Sequence, residues 1–186
     1  ATNPVGLGRW GGGIFNQGNL TLRRCQFTGN SATRSGGAIY SQNGNLTIEE
    51  STLSFNSAQG DGGGVFLGGG SNTVTSSTFL QNSASFSGGG IVNLDAVLTV
   101  RNCTIILNSA GVSGGGVRND GGSIGTNQVI TIVNSTFTAN SAPAGSGLYN
   151  SRVLNLENSI IAGNSFAPSG GTDIYQAAGI VNNLGV

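Results

Sequence analysis

The chain has 186 residues, the length of one ordinary domain, with 34 glycines, no histidine and only 8% charged residues. Its seven cationic side chains are all arginine and are balanced by seven Asp and Glu, which argues against nucleic acid and against electrostatic binding to an anionic membrane. The missing histidine removes a Ser–His–Asp triad or a histidine-ligated metal, and no apolar run approaches the ~18 residues that cross a bilayer, so no membrane insertion is expected.

So much glycine would suit a disordered linker, but 37% of the residues are hydrophobic and they recur regularly, which a disordered chain would not need. Residues 1–10 read as an N-terminal lead-in. The chain opens at Ala1 with no visible signal peptide, as expected of a processed product or an excised piece. Residues 11–186 read as one repeating domain.

The first repeated element is a glycine corner followed by an apolar residue. Gly11-Gly12-Gly13-Ile14 returns as Gly36-Gly37-Ala38-Ile39, Gly62-Gly63-Gly64-Val65, Gly88-Gly89-Gly90-Ile91 and Gly114-Gly115-Gly116-Val117. A degenerate sixth copy is Ser146-Gly147-Leu148. Next in each unit comes a short alternating stretch: Leu20-Thr-Leu22, Leu46-Thr-Ile48, Thr73-Val-Thr75, Leu98-Thr-Val100, Ile130-Thr-Ile132 and Leu154-Asn-Leu156. Such alternation marks strands with one face buried. The unit closes on Phe27, Leu53, Phe79, Ile105, Phe137 or Ile161, each three residues ahead of Asn30, Asn56, Asn82, Asn108, Asn140 or Asn164. The two marker series keep step at about 26 residues, and each unit is expected to hold three strands.

No segment of ten residues has helical spacing, and 26 residues are too few for a propeller blade. The predicted fold is all-β: a single-stranded right-handed parallel β-helix of about six coils, a rod on the order of 30 Å long at ~4.8 Å per coil. One Asn interval is 32 residues rather than about 26, which places a loop insertion near residues 120–128.

Equivalent positions of a solenoid stack into ladders. The Asn series is predicted as a structural ladder in which each amide bonds the next coil and its backbone. Glycine supplies the sharp corners; no strand–glycine–helix context or lysine makes these a phosphate loop. Cys25 and Cys103 share a position held by Ser51, Ser77, Ser135 and Ser159 elsewhere. Three coils separate them, roughly 14 Å, beyond the reach of a disulfide, and both are expected to be free, buried and small-apolar in role.

One column looks outward. The residue after each glycine-corner apolar is Phe15, Tyr40, Phe66, Val92, Arg118 or Tyr149. Phe15, Tyr40, Phe66 and Tyr149 are therefore the candidate surface contacts, an exposed aromatic stripe for glycans or lateral packing, unless a one-residue shift of register makes them core. Ranks of threonine (Thr52, Thr78, Thr104, Thr136 and Thr21, Thr47, Thr73, Thr99, Thr131) also face outward, joined by Ser54 and Thr138. Among the acids only Asp95 and Asp120, expected near Arg118 and Arg101, form a cluster. It reads as solvated turn charges, with a small calcium or saccharide site as the sharper alternative. Asp61 reads as a turn residue. No catalytic residue, metal ligand or cofactor is indicated.

The pairing of Phe-x-x-Asn-Ser-Ala (Phe27–Ala32, Phe79–Ala84, Phe137–Ala142) with Gly36-Gly-Ala-Ile39 resembles the repeats of polymorphic outer-membrane proteins. The fuller unit, with Asn158-Ser-Ile-Ile-Ala-Gly-Asn164 and Thr172-Asp-Ile174, is similar to large bacterial right-handed β-helix surface proteins, cyanobacterial ones included. The resemblance spans roughly residues 11–184. It implies an extracellular or cell-surface setting and carries no shared catalytic motif. The expected function is a non-catalytic structural or adhesive module. Expected partners are copies of itself, stacked end to end into filaments, and glycans. A polysaccharide-binding or polysaccharide-cleaving enzyme is the alternative, and the threonine ranks suggest ice binding as a third.

Overall fold

The computed structural model describes residues 9–121, 128–166 and 171–184. These form a solenoid of four parallel sheets, each built from one strand per coil. Sheet A contains Ile14–Asn16, Ile39–Gln42, Val65–Gly68, Ile91–Leu94, Val117–Asp120, Leu148–Asn150 and Ile174–Gln176. Sheet B contains Leu20–Arg23, Leu46–Glu49, Ser71–Thr75, Val97–Arg101, Val129–Val133, Val153–Glu157 and Ile180–Asn183. Sheet C runs from Gln26–Thr28 through Thr52–Ser54, Thr78–Leu80, Thr104–Ile106 and Thr136–Thr138 to Ile160–Ile161. Sheet D consists of Ser31–Ala32, Ser57–Ala58, Ser83–Ala84 and Ser109–Ala110. Among the described residues none is helical.

Both marker series lie in register. Ile14 pairs with Ile39, Val65 with Ile91 and Val117 with Leu148, while Phe27, Leu53, Phe79, Ile105, Phe137 and Ile161 form one column of sheet C. Together with Ile48, Val74, Val100 and Ile132 of sheet B they make one continuous core. Complete burial of side chains of this size contributes about 1.5–3 kcal/mol each.

The fold exceeds the expected three-strand, six-coil unit in two places. The Ser-Ala pair after each ladder asparagine forms a fourth strand, too short to show alternation. A partial seventh coil, Ile174–Gln176 and Ile180–Asn183, pairs onto the sixth. Its corner reads Gly171-Thr-Asp-Ile174, which disguises the repeat.

The insertion is located by register. Sheet A steps 26 residues from Ile91 to Val117, whereas sheet B steps 32 from Leu98 to Ile130, so the extra chain enters between Asp120 and Val129. Residues 122–127 of that predicted loop, and residues 1–8 of the lead-in, lie outside the described residues.

Corners require left-handed backbone. Gly11, Gly36, Gly62, Gly88, Gly114 and Gly145 have φ of 60–72°, and a Cβ there would lie 2.0–2.6 Å from the carbonyl oxygen three residues on. Only glycine fits that turn. The corner between sheets C and D is also left-handed, yet it holds Phe55, Gln81, Leu107 and Ala139 besides Gly29 and Gly163.

Candidate functional site

The asparagine ladder is formed as predicted. From Asn30 to Asn140, each member donates its backbone N–H and its Nδ2 to Oδ1 of the asparagine in the following coil, at 2.8–3.1 Å. The second Nδ2 hydrogen of Asn56, Asn82, Asn108, Asn140 and Asn164 goes back to the carbonyl of Phe27, Leu53, Phe79, Ile105 and Phe137. The end of the ladder was not foreseen: Asp173 accepts both donors of Asn164 at 2.8 Å. A carboxylate accepts only, so it closes a one-way series of donors.

A second buried ladder also went unread. Asn93 donates to Asn119, Asn119 to Asn150, and Asn150 to Gln176. Each lies two residues beyond Ile91, Val117, Leu148 or Ile174, a recurrence visible in the sequence. Its N-terminal member abuts Leu67, which has no donor, and Asn93 Oδ1 is buried without a partner among the described residues.

The cysteines are free, Cys103 buried and Cys25 half-buried, and their role is more than apolar filling. Cys103 Sγ donates to Arg101 O as Ser51, Ser77, Ser135 and Ser159 donate to the carbonyl two residues back, spanning a left-handed corner residue. Thiol and hydroxyl are interchangeable there as small donors. Burial pushes the Cys103 thiol pKa up, which suits an unreactive group.

The aromatic column does point away from the core, but it is not the exposed stripe expected. Phe15 is 37% exposed, while Tyr40 and Phe66 are only 5% and 8% exposed. Phe15, Tyr40 and Phe66 stack at 5.5 and 4.8 Å with 5° between planes, Trp10 lies against Tyr40 at 4.7 Å, and Leu94 packs on the same group. Rings in register bury one another, forming a small second core outside the coil. Tyr149 stacks on Tyr175 at 5.6 Å, and the Arg118 guanidinium covers its other face.

The acidic cluster is also changed. Asp120 pairs with Arg118 at 2.5 Å and accepts from the Ser151 hydroxyl and the Gly121 N–H. Burial opposes its ionisation, but those hydrogen bonds and the Arg118 charge outweigh it and hold the pKa below the ordinary value. Asp95 accepts from Gln128, whose side chain is also bonded by Arg152. Arg101 does not join them: it lies exposed on sheet B, paired in register with Thr75 and Val133. Among the described residues no three Asp, Glu, Cys or His side chains gather to hold a metal.

Asp61 lies at a bend, as its sequence context predicts, and accepts the Ser87 N–H at 3.0 Å. Burial raises its pKa, only partly opposed by Arg118 and that hydrogen bond. It borders a cavity of about 400 Å³ with Trp10, Arg34, Gln59 and Phe86, none of which the repeat pattern singled out. A second cavity, about 310 Å³, lies beside Tyr40, Phe66, Leu94 and Asp95. The threonine ranks are in register but sit on two sheets, one either side of a left-handed corner.

Parallel sheets, stacked inward ladders and a coil of about 26 residues define a β-solenoid. Residues 10–184 match the family described as a right-handed β-helix region, and the chain belongs to that family. A search of the curated proteins and a search of the solved structures gave no match.

Proposed function

We propose that this solenoid is a non-catalytic structural or adhesive module that works outside the cell or at its surface. The observation that carries this reading is the engagement of six of its seven side-chain carboxylates. Asp173 ends the asparagine ladder, Asp61 holds the Ser87 amide, Asp120 is bound by Arg118 and Ser151, and Asp95 takes Gln128. Glu49 and Glu50 pair with Arg23 and Arg24 on the neighbouring coil. Groups committed to holding coils together are poorly placed to exchange protons with a substrate, which needs a carboxyl poised and accessible. The likeness of the repeats to those of bacterial surface proteins supports the setting.

The test is incubation of the protein with neutral and acidic polysaccharides, followed by an assay for new reducing ends or unsaturated products. None is expected. Turnover that disappears in Asp120→Asn would overturn the reading in favour of a polysaccharide-cleaving enzyme.

Self-association extends the proposal. Ile180 and Val181 are 58% and 43% exposed and offer an apolar surface for contact with a second copy. Sedimentation velocity over a wide concentration range tests it. Species that grow with concentration are expected, and a single monomeric boundary throughout would remove this part.

A further inference from the structure

The corner between sheets A and B carries a recess at the third coil. The outward column of sheet A there runs Gln42, Gly68, Leu94 in register. The next column runs Asn43, Gly69, Asp95, tied coil to coil by Asn43 N–H to Gly68 O and Gly69 N–H to Leu94 O. The second and fourth coils supply a side chain in both columns, and the third supplies none. Packing does not impose this. A Cβ on Gly70 would lie 2.1 Å from Gly44 O, so glycine is obligatory there. A Cβ on Gly68 would meet nothing closer than the edge of the Phe66 ring at 3.3 Å, and one on Gly69 nothing closer than Asn43 Oδ1 at 3.7 Å. Gly69 is left-handed with φ of 94°, but Asn43 and Asp95 keep their side chains at left-handed φ of 60° and 54° in the same column. The space over Gly68 and Gly69 is the cavity of about 310 Å³.

The walls decide what fits. Asn43 and Asp95 stand two coils apart, about 9.6 Å at the spacing of paired strands. Asn43 turns Oδ1 over Gly69, and Asp95 brings a carboxylate to the opposite wall. Asp95 already accepts from Gln128, but a carboxylate has about four acceptor positions and serves several donors. The Tyr40 hydroxyl donates to Gln42 Oε1 at 3.4 Å, which leaves its own oxygen as a further acceptor. The side between them is apolar, formed by Phe66 and Leu94. No arginine is among the described residues that line the cavity; Arg118 is neutralised by Asp120, and Arg152 is bonded to Gln128 and Gly121 O. The recess is therefore acidic and rich in acceptors. Two C–N bonds of ~1.33 Å place guanidinium nitrogens about 2.3 Å apart, and a hydrogen bond of about 2.9 Å at each end extends the span to about 8 Å. An ammonium making the same two bonds spans less than about 6 Å.

We propose that the recess over Gly68 and Gly69 binds the guanidinium of an arginine side chain presented by a partner polypeptide. The planar fork donates to Asp95 on one wall and to Asn43 on the other, and the aliphatic stem packs on Leu94 and the edge of Phe66. The site requires neither the absence of catalysis nor self-association, so it stands or falls apart from both.

The experiment titrates the protein with an end-capped Gly-Arg-Gly peptide, its Gly-Lys-Gly counterpart and argininamide, following the amide NMR shifts of Gly68 and Gly69. Saturable shifts with the arginine peptide are expected. The lysine peptide should bind about tenfold or more weakly, having lost one of two charge-assisted hydrogen bonds. Gly69→Asn supplies the side chain that Asn43 carries in the coil before; it should fill the recess and abolish the response. Asp95→Asn should weaken binding about tenfold or more. Glu50→Gln removes an exposed acid at the corner between sheets B and C and should change nothing. Thermal melts establish that the variants are folded. No saturable shift with the arginine peptide, equal affinity for the lysine peptide, or binding untouched by both Gly69→Asn and Asp95→Asn overturns the proposal. Argininamide should bind more weakly than the peptide; equal affinity would overturn the partner chain as the source and assign the recess to a free guanidinium compound.

Discussion

Buried asparagine is costly unless every donor and acceptor is met, and the main ladder meets them by making each residue serve its neighbours. Asn82 accepts from the N–H and Nδ2 of Asn56 and donates to Asn108 and to Leu53 O. Asn82→Ala strands groups on both adjacent coils and should cost on the order of 3 kcal/mol or more, read from urea denaturation. Asp173→Asn keeps an oxygen facing Asn164 and should change stability by less than about 1 kcal/mol, because only the acceptor is used there. The two perturbed carboxyls act in opposite senses with pH. Asp120 is held below 3.8, so its ionised form contributes stability above that pH and the contribution is lost as pH falls through the depressed folded value. Asp61 is held above 3.8, so its contribution is present in acid and is lost as pH rises through the raised folded value. Urea midpoints across the acid range should show Asp120→Asn approaching wild type as pH falls. Asp61→Asn should gain on wild type as pH rises.

At the scale of the element, four short strands need four turns, and the left-handed corners are where sequence and geometry disagree. Leu107 holds φ of 58° with its side chain 47% exposed, in the column that Gly29 and Gly163 occupy elsewhere. A left-handed residue with a Cβ costs about 1–2 kcal/mol, and glycine recovers that less its own entropic cost of about 0.5–1 kcal/mol. Leu107→Gly should therefore raise the melting temperature, and a lower one would mean the exposed leucine makes contacts that outweigh the strain. The corner between sheets B and C is cheaper because a serine or cysteine one residue on ties it to the carbonyl behind. That explains why thiol and hydroxyl share a column.

At the scale of the whole molecule, each coil touches only its neighbours, so stability is a sum along the axis. Ile48, Val74, Val100 and Ile132 are at most 2% exposed, whereas Leu22 reaches 9% and Val181, the inward residue of the last coil, is 43% exposed. Amide hydrogen exchange should be slowest in the second to fifth coils. Strands Leu20–Arg23 and Ile180–Asn183 should open on the order of 2 kcal/mol more easily. Uniform protection along the chain would mean the ends are held by contacts beyond their own coil.

The sequence by itself determined the coil. Its length, the glycine corners, the inward apolar columns and the asparagine ladder are all periodic, and stacking converts period directly into contact; the insertion shows as one lengthened interval. The other departures from the period were left to tertiary structure. The two-residue fourth strand is too short to alternate. Asp173 closes a ladder from outside the repeat motif, and the disguised seventh coil pairs only because the sixth offers it an edge. The aromatic column shows the difference most plainly: its outward direction follows from alternation along one strand, but the burial of Tyr40 and Phe66 depends on rings from other coils and on Trp10.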